Sequence, residues 1–279
     1  HLGRLRPPLV ARHRDGYVRE CHGDLHLANL ARLKSGIVPF DCIEFNPALR
    51  NIDVISDFAF LAMDLVCRNR RDLAYTLINR YLERSGDYDG MQLFGLYFVY
   101  HCMIRAKVAA IRHGERRTAN DRQRDLDEVK HHCEVALDWI DKPSPLLVAM
   151  HGYSGSGKTW ASSELLQAMP AIRLRSDVER KRMFGLRETE SSGAGLGEGV
   201  YTEQSARAVY ERLFELGGRL LDWGYNVILD ATFLARRERA LALSVATAAE
   251  LERTARIRTD GRVDWDHVLD EITMVAHRA

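Results

Sequence analysis

No cysteine occurs after residue 133, and the five before it, Cys21, Cys42, Cys67, Cys102 and Cys133, contain no CxxC pair. That absence excludes the usual paired zinc spacings, and an odd number argues against a disulfide framework. Reduced, mostly buried thiols and a cytoplasmic location are expected. His131, His132 and Cys133 adjoin, but they fall in a helical pattern and read as helix residues rather than metal ligands. An excess of one charge is also lacking: 40 basic residues face 39 acidic ones, a net charge of +1. No electrostatic footprint for nucleic acid stands out. No apolar run approaches the length a membrane helix needs, and no charged-then-apolar leader opens the chain, so no membrane partner is expected. The first residue is His1 rather than Met, as in a fragment or a processed chain. What is present is ordinary globular composition, 46% hydrophobic and 28% charged, in 279 residues, enough for two domains. No segment signals an oligomeric state.

The strongest pattern is Val148 to Thr159, VAMHGYSGSGKT. An apolar run from Leu146 to Met150 enters a glycine-rich turn and then a helix start, giving GxxxxGK[ST] with Gly152, Gly157, Lys158 and Thr159 in place. A phosphate chain needs several backbone N–H groups aimed at one point, and glycines permit this by adopting positive φ without a Cβ clash. Ser154, Gly155 and Ser156 complete the cradle. Lys158 supplies a point charge for the β and γ phosphates, the Thr159 hydroxyl suits magnesium, and the helix adds its positive end. ATP and Mg2+ are the expected cofactors.

In the first half, Pro7-Pro8 is expected to break any helix, leaving residues 1 to 20 irregular. Leu30 and Leu33, a Lys34-Ser35-Gly36 turn, and Ile37 to Phe40 read as a β-hairpin, with Asp24 in the loop before it, Asn29 at its mouth and Asp41 just past it. Helices are expected over Ile55 to Val66, Leu73 to Leu82, Leu93 to Gly114 and Asp121 to Ile140. The third of these should bury Leu93, Leu96, Tyr97, Tyr100, Met103, Ile104, Val108 and Ile111. Asp53, Asp57 and Asp64 make a carboxylate stripe of the kind that is ordinarily a solvated or capping face. Lys142-Pro-Ser-Pro145 then sets a domain boundary, 1–142 before it and 146–279 after it.

HGDLHLAN has the His-x-Asp-four-Asn spacing of a kinase catalytic loop, followed by Asp41 where a metal-binding aspartate belongs. Residues 21 to 67 resemble the C-terminal lobe of the aminoglycoside phosphotransferase family, which shares the protein kinase fold. HGDLHLANL and FDCIEFNPALRNIDVISDFAFLAMDL resemble the phosphotransferase-like half of bacterial two-part proteins whose other half is a P-loop kinase. The resemblance implies Asp24 as catalytic base, Asn29 and Asp41 as magnesium ligands, His22 as a scaffold for the loop, and Asp57 as its brace. A polar hairpin mouth without catalytic role is the alternative. The twenty residues before Cys21 contain neither a glycine-rich loop nor a lysine, so a truncated C-lobe without its N-lobe is expected.

Beyond the phosphate loop, Trp160 to Met169 reads as a helix and Ala171 to Leu174 as a strand running into RSDVERKR. An aspartate at a strand's C-terminal end, beside a phosphate loop, is where an open parallel sheet puts chemistry. Asp177 could take a proton from an acceptor hydroxyl, and Arg175, Arg180 or Lys181 could bind an anion; an N-cap aspartate on a solvated helix fits the same spacing. SSGAGLGEG, 191 to 199, reads as a mobile loop. Tyr201 to Trp223 reads as an amphipathic helix, and Asn226 to Asp230 as an apolar strand closing on an acid. GYSGSGKTW, RLRSDVERKRMFG and NVILDATF resemble the zeta-toxin-like and polynucleotide-kinase-like group of P-loop kinases over about residues 146 to 240. That implies Asp177 as base, Arg180 as a substrate or transition-state contact, and Asp230 as the metal-side acid. Ala235 to Arg253 should form a helix with no buried strand run after it. Arg256 to Gly261 resembles the polar end of a late strand and Asp264 to His277 a closing helix. No lid is expected; Arg236, Arg237 and Arg253 could stand in for its arginine, though each reads more readily as a solvated helix residue.

The expected fold is therefore α/β: a P-loop parallel-sheet domain preceded by a mainly helical, protein-kinase-like C-lobe with a β-hairpin. The expected activity is ATP- and Mg-dependent phosphoryl transfer to a hydroxyl of a small molecule or nucleotide. The alternative is a nucleotide-binding regulatory module with little turnover.

Overall fold

The local signals become elements in the expected order in a computed structural model that describes residues 2–116, 118–141, 143–187, 190, 203–248 and 254–258. The chain divides into two units: residues 1–74 with 89–142, and residues 75–88 with 143–279. Residues 75–88, placed by sequence in the first half, thus belong with the second unit.

The first unit opens with helix α1 (Leu2–Arg14), which contains Pro7 and Pro8, contrary to the expected irregular lead-in. The two prolines remove two ladder donors. The last turn is nevertheless anchored, because buried Arg12 grips Asp53 with Nε at 2.6 Å and Nη2 at 2.8 Å, and stacks 4.0 Å above the Tyr17 ring. Strand β1 (Val18–Glu20) pairs antiparallel with β4 (Asn51–Asp53). Between them β2 (Leu30–Leu33) and β3 (Gly36–Pro39) form the expected hairpin, and α2 (Pro47–Arg50) starts on an Asn46 cap. Asp53 also caps α3 (Val54–Cys67) by accepting from Ile55 N at 3.0 Å.

Helix α4 (Arg71–Ser85) leads to α5 (Met91–Glu115) and α6 (Ala119–Ile140), whose Thr118 cap accepts from Asp121 N. In this unit α5 packs against α3 and α6. The α5 face is a correction: it buries Leu93, Phe94, Phe98, Cys102, Ala106 and Ala109, while Tyr100, Met103, Val108 and Ile111 are exposed. Shape decides this, since Gly95 lets the Trp139 indole of α6 lie directly on the helix and stack on Phe98 at 4.0 Å. A second correction follows: the helix through Glu115 is long and apolar enough to cross a membrane by length and composition alone. Part of that apolar surface packs on α3 and α6.

In the second unit a four-stranded parallel sheet has the order β6-β7-β5-β8, formed by β5 (Leu147–His151), β6 (Ile172–Arg175), β7 (Val227–Asp230) and β8 (Thr254–Arg258). Strand β8 pairs along the whole of β5 and overlaps, from Arg256, the stretch that resembles the polar end of a late strand. Helix α7 (Lys158–Ala168) follows the phosphate loop and α8 (Ser176–Met183) follows β6. Helix α9 (Glu203–Asp222) sets Gly217 against Leu174, Val227 and Leu229, and α10 (Arg236–Ala248) packs on α9. Leu146, Val148, Met150, Ala161, Leu165, Ala171 and Ile228 form one core. The 191–199 loop, Arg253 and the 264–277 helix lie outside the described residues, as does any lid there.

Candidate functional site

The phosphate loop is built as its sequence requires. Apolar β5 delivers the chain to Gly152, whose N–H donates to Thr232 O at 3.1 Å. Gly155 and Gly157 stand at φ +79° and +85°, left-handed values that a side chain would strain, and Gly157 immediately precedes α7. The first N–H groups of α7 therefore have no side-chain cap and point into the loop. Lys158 is buried and donates from Nζ to Tyr153 O at 2.5 Å. Burial pushes its pKa down, against the opposing pull of Asp230. Thr159 is exposed at the helix start, as are Ser154 and Gly155, with Ser156 half-buried.

Asp230 ends β7, next to β5 in the sheet, and is buried. Its Oδ2 accepts from Ser162 Oγ at 3.0 Å and lies 3.9 Å from Arg175 Nε, its partner across the β6–β7 register. A buried carboxylate oxygen and a nearby hydroxyl are the hard oxygen donors a magnesium ion takes, with phosphates and water completing its shell. Among the described residues no cluster of three or more His, Cys, Asp or Glu could hold a metal, so any divalent ion here would be held by few protein groups.

Asp177 lies in the first turn of α8 with its side chain 46% exposed, and Lys181 one turn on reaches it at 3.1 Å. The N-cap of α8 is Arg175, so Asp177 is not the cap. Arg180 is half-buried on the same helix. A cavity of about 610 Å3 opens beside α8, lined by Glu83, Arg84, Val178, Arg182 and Arg187 among others. Arg236 and Arg237 are exposed at the start of α10.

In the first unit the loop before the hairpin is a separate polar construction. Asp57 of α3 accepts from His22 N at 2.9 Å and Gly23 N at 3.0 Å, and Asp64 accepts from Leu27 N at 2.9 Å. The carboxylate stripe is thus turned onto backbone donors rather than solvent. Burial nevertheless pushes the Asp57 carboxyl up. His22 bonds Phe40 O through Nε2 at 2.8 Å. Asn29 is buried and donates to both Asp24 O and Asp24 Oδ2, at 3.0 and 3.1 Å. His26 stands 3.4 Å from the same carboxylate, and its hydrogen bond holds the Asp24 carboxyl below its usual range. Asp24 and Asn29 are brought together; Asp41 is exposed, at φ +61°, and bonds neither of them. The loop has no tolerance at Gly23, where a Cβ would come within 2.7 Å of Leu49 O.

Sequence reasoning missed Ser162, Arg173 and Glu83. Arg173 Nη1 donates to Ser162 Oγ and Ser163 Oγ, and its Nη2 to Glu83 Oε1 at 2.9 Å. An arginine inside an apolar strand was the available signal; its partner, ninety positions upstream, carried none.

An uncharacterized protein of Mycobacterium tuberculosis and one of Mycobacterium bovis are each 30% identical to this chain over 239 residues. The aligned region is 85% of this chain and 47% of each relative, so the chain spans about half the length of the curated relatives it matches. Residues 147–260, the segment from β5 past β8, match the AAA domain family, a likeness to P-loop domains of kinase-like type.

Proposed function

We propose that the second unit is an ATP- and magnesium-dependent phosphotransferase acting on a hydroxyl of a small molecule or nucleotide. The observation that carries this reading is the phosphate loop built on β5 with Asp230 on the adjacent strand, inside the segment that matches the AAA domain family. Loop N–H groups and Lys158 hold the phosphates, while Thr159 and Asp230 would hold magnesium, which neutralises phosphate charge. Asp177 takes the proton of the acceptor hydroxyl as its oxygen bonds the γ-phosphorus and the bond to ADP breaks. Arg180 contacts the acceptor or the transferring group. The acceptor is admitted beside α8, where arginines line the cavity. Free thiols suit a reducing cytoplasmic setting.

Incubation with γ-labelled ATP, magnesium and a metabolite pool tests it: a labelled product is expected from the wild type and lost in Lys158→Ala and Asp177→Asn. ATP binding with no product above background would favour the second reading, a regulatory nucleotide-binding module. What supports that alternative is that Lys181 already pairs with Asp177 and Lys158 with a loop carbonyl. For the first unit we propose a phosphotransferase-like catalytic loop in which Asp24 is the base and Asn29 and Asp41 are oxygen ligands to magnesium. Retention of product by Asp24→Asn would assign turnover to the P-loop unit.

A further inference from the structure

Residues 75–88 do more than cover the sheet. Strand β6 is an edge strand, and its outward backbone groups would be open to solvent or to another strand. Buried Asn79 takes both: Nδ2 donates to Ala171 O at 2.9 Å and Oδ1 accepts from Arg173 N at 2.6 Å. One turn further along α4, Glu83 is 2% exposed. It pairs with Arg173 at 2.9 Å and stands 3.9 Å from Arg175. Those same two arginines face Asp230, Arg175 directly at 3.9 Å and Arg173 through the Ser162 hydroxyl at 3.2 and 3.0 Å.

Arg175 therefore stands between two buried carboxylates and Arg173 links them through Ser162, with Arg80 also 3.4 Å from Glu83. A buried charge in a water-poor interior is tolerated only when balanced, so whatever Glu83 does not neutralise falls on Asp230. We infer that Glu83 is a positioning residue for Asp230: by holding Arg173 and Arg175 it keeps the Asp230 carboxylate available to a magnesium ion. The inference rests on the nucleotide-binding reading of the P-loop. It gives residues 75–88, which lie outside the AAA match, a part in the nucleotide site.

The test is the magnesium dependence of ATP binding. In Glu83→Gln the released guanidiniums close on Asp230, and the magnesium concentration for half-maximal binding rises about tenfold. Arg175→Gln, at a position only partly buried, lowers it about threefold, and the double variant returns toward wild type. A merely structural Glu83 would lower the melting temperature and leave these magnesium curves in place. Magnesium curves within twofold of wild type for folded Glu83→Gln, or for Arg175→Gln where the first variant does not fold, overturn the inference. A nucleotide-free arm separates the two readings. In urea, the effects of Glu83→Gln and Asp230→Asn on the unfolding constant fail to multiply by about tenfold. Simple multiplication overturns the relay whatever the nucleotide result. Wild type that binds no Mg-ATP, with the coupling intact, counts against the P-loop reading alone.

Discussion

At the scale of single residues, the sites that matter are those where one side chain satisfies several demands. Arg12 is one: it neutralises Asp53, which caps α3 at the same time. Replacing Arg12 with Met leaves a buried unpaired carboxylate and is expected to cost about 3–5 kcal/mol in urea unfolding, whereas an exposed pair such as Arg70–Asp72 contributes under about 1 kcal/mol. Lys158 is another, and Lys158→Ala should weaken ATP binding about 10- to 100-fold by calorimetry. The chemistry of these residues was unevenly legible. Gly157-Lys158-Thr159 could be read from sequence because the spacing is local and each residue type has one physical job. Arg12–Asp53 and Glu83–Arg173 could not, because a charged residue 41 or 90 positions from its partner looks like any surface residue until the fold is known.

At the scale of elements, helix faces are set by what can approach closely as much as by apolar content. The sequence of α5 offers two apolar stripes, and the one with Gly95, Ala106 and Ala109 is buried because it admits α3 and the Trp139 ring. Helix α1 shows the converse, an element with poor intrinsic propensity held by one buried ion pair. On α5 sits His101, stacked on Phe60 at 4.3 Å with Nε2 donating to Ser56 O at 3.0 Å. Burial pushes its pKa down from 6.5 to about 4. The folded state therefore refuses a proton that the unfolded chain takes up, and stability is whole above about pH 6.5 and drains as pH falls toward 4. The loss is on the order of 3 kcal/mol. Urea midpoints measured across that range should fall in wild type and stay nearly level in His101→Gln; parallel slopes would contradict the assignment.

For the whole molecule, ligand linkage gives a direct measurement. Mg-ATP at about 100 times its Kd should raise the stability of the second unit by about 2.7 kcal/mol and its melting temperature with it, and Lys158→Ala should remove the shift. The hairpin, the longer helices after residue 53, the phosphate loop and the strand ending in Asp230 were readable as a linear string of local patterns, whereas α1 was not. The membership of residues 75–88 was not, since nothing in their composition separates them from the helices on either side. That membership has a consequence for biosynthesis. Asn79, Leu82 and Glu83 emerge from the ribosome about ninety residues before Ala171, Arg173 and Arg182, the groups that bond them. At about 5–20 residues per second, Ile78, Leu82 and Tyr88 wait several seconds or more with no partner strand to cover them. During that interval the nascent chain carries the amphipathic α4 with the groups that will bond its buried face still unmade.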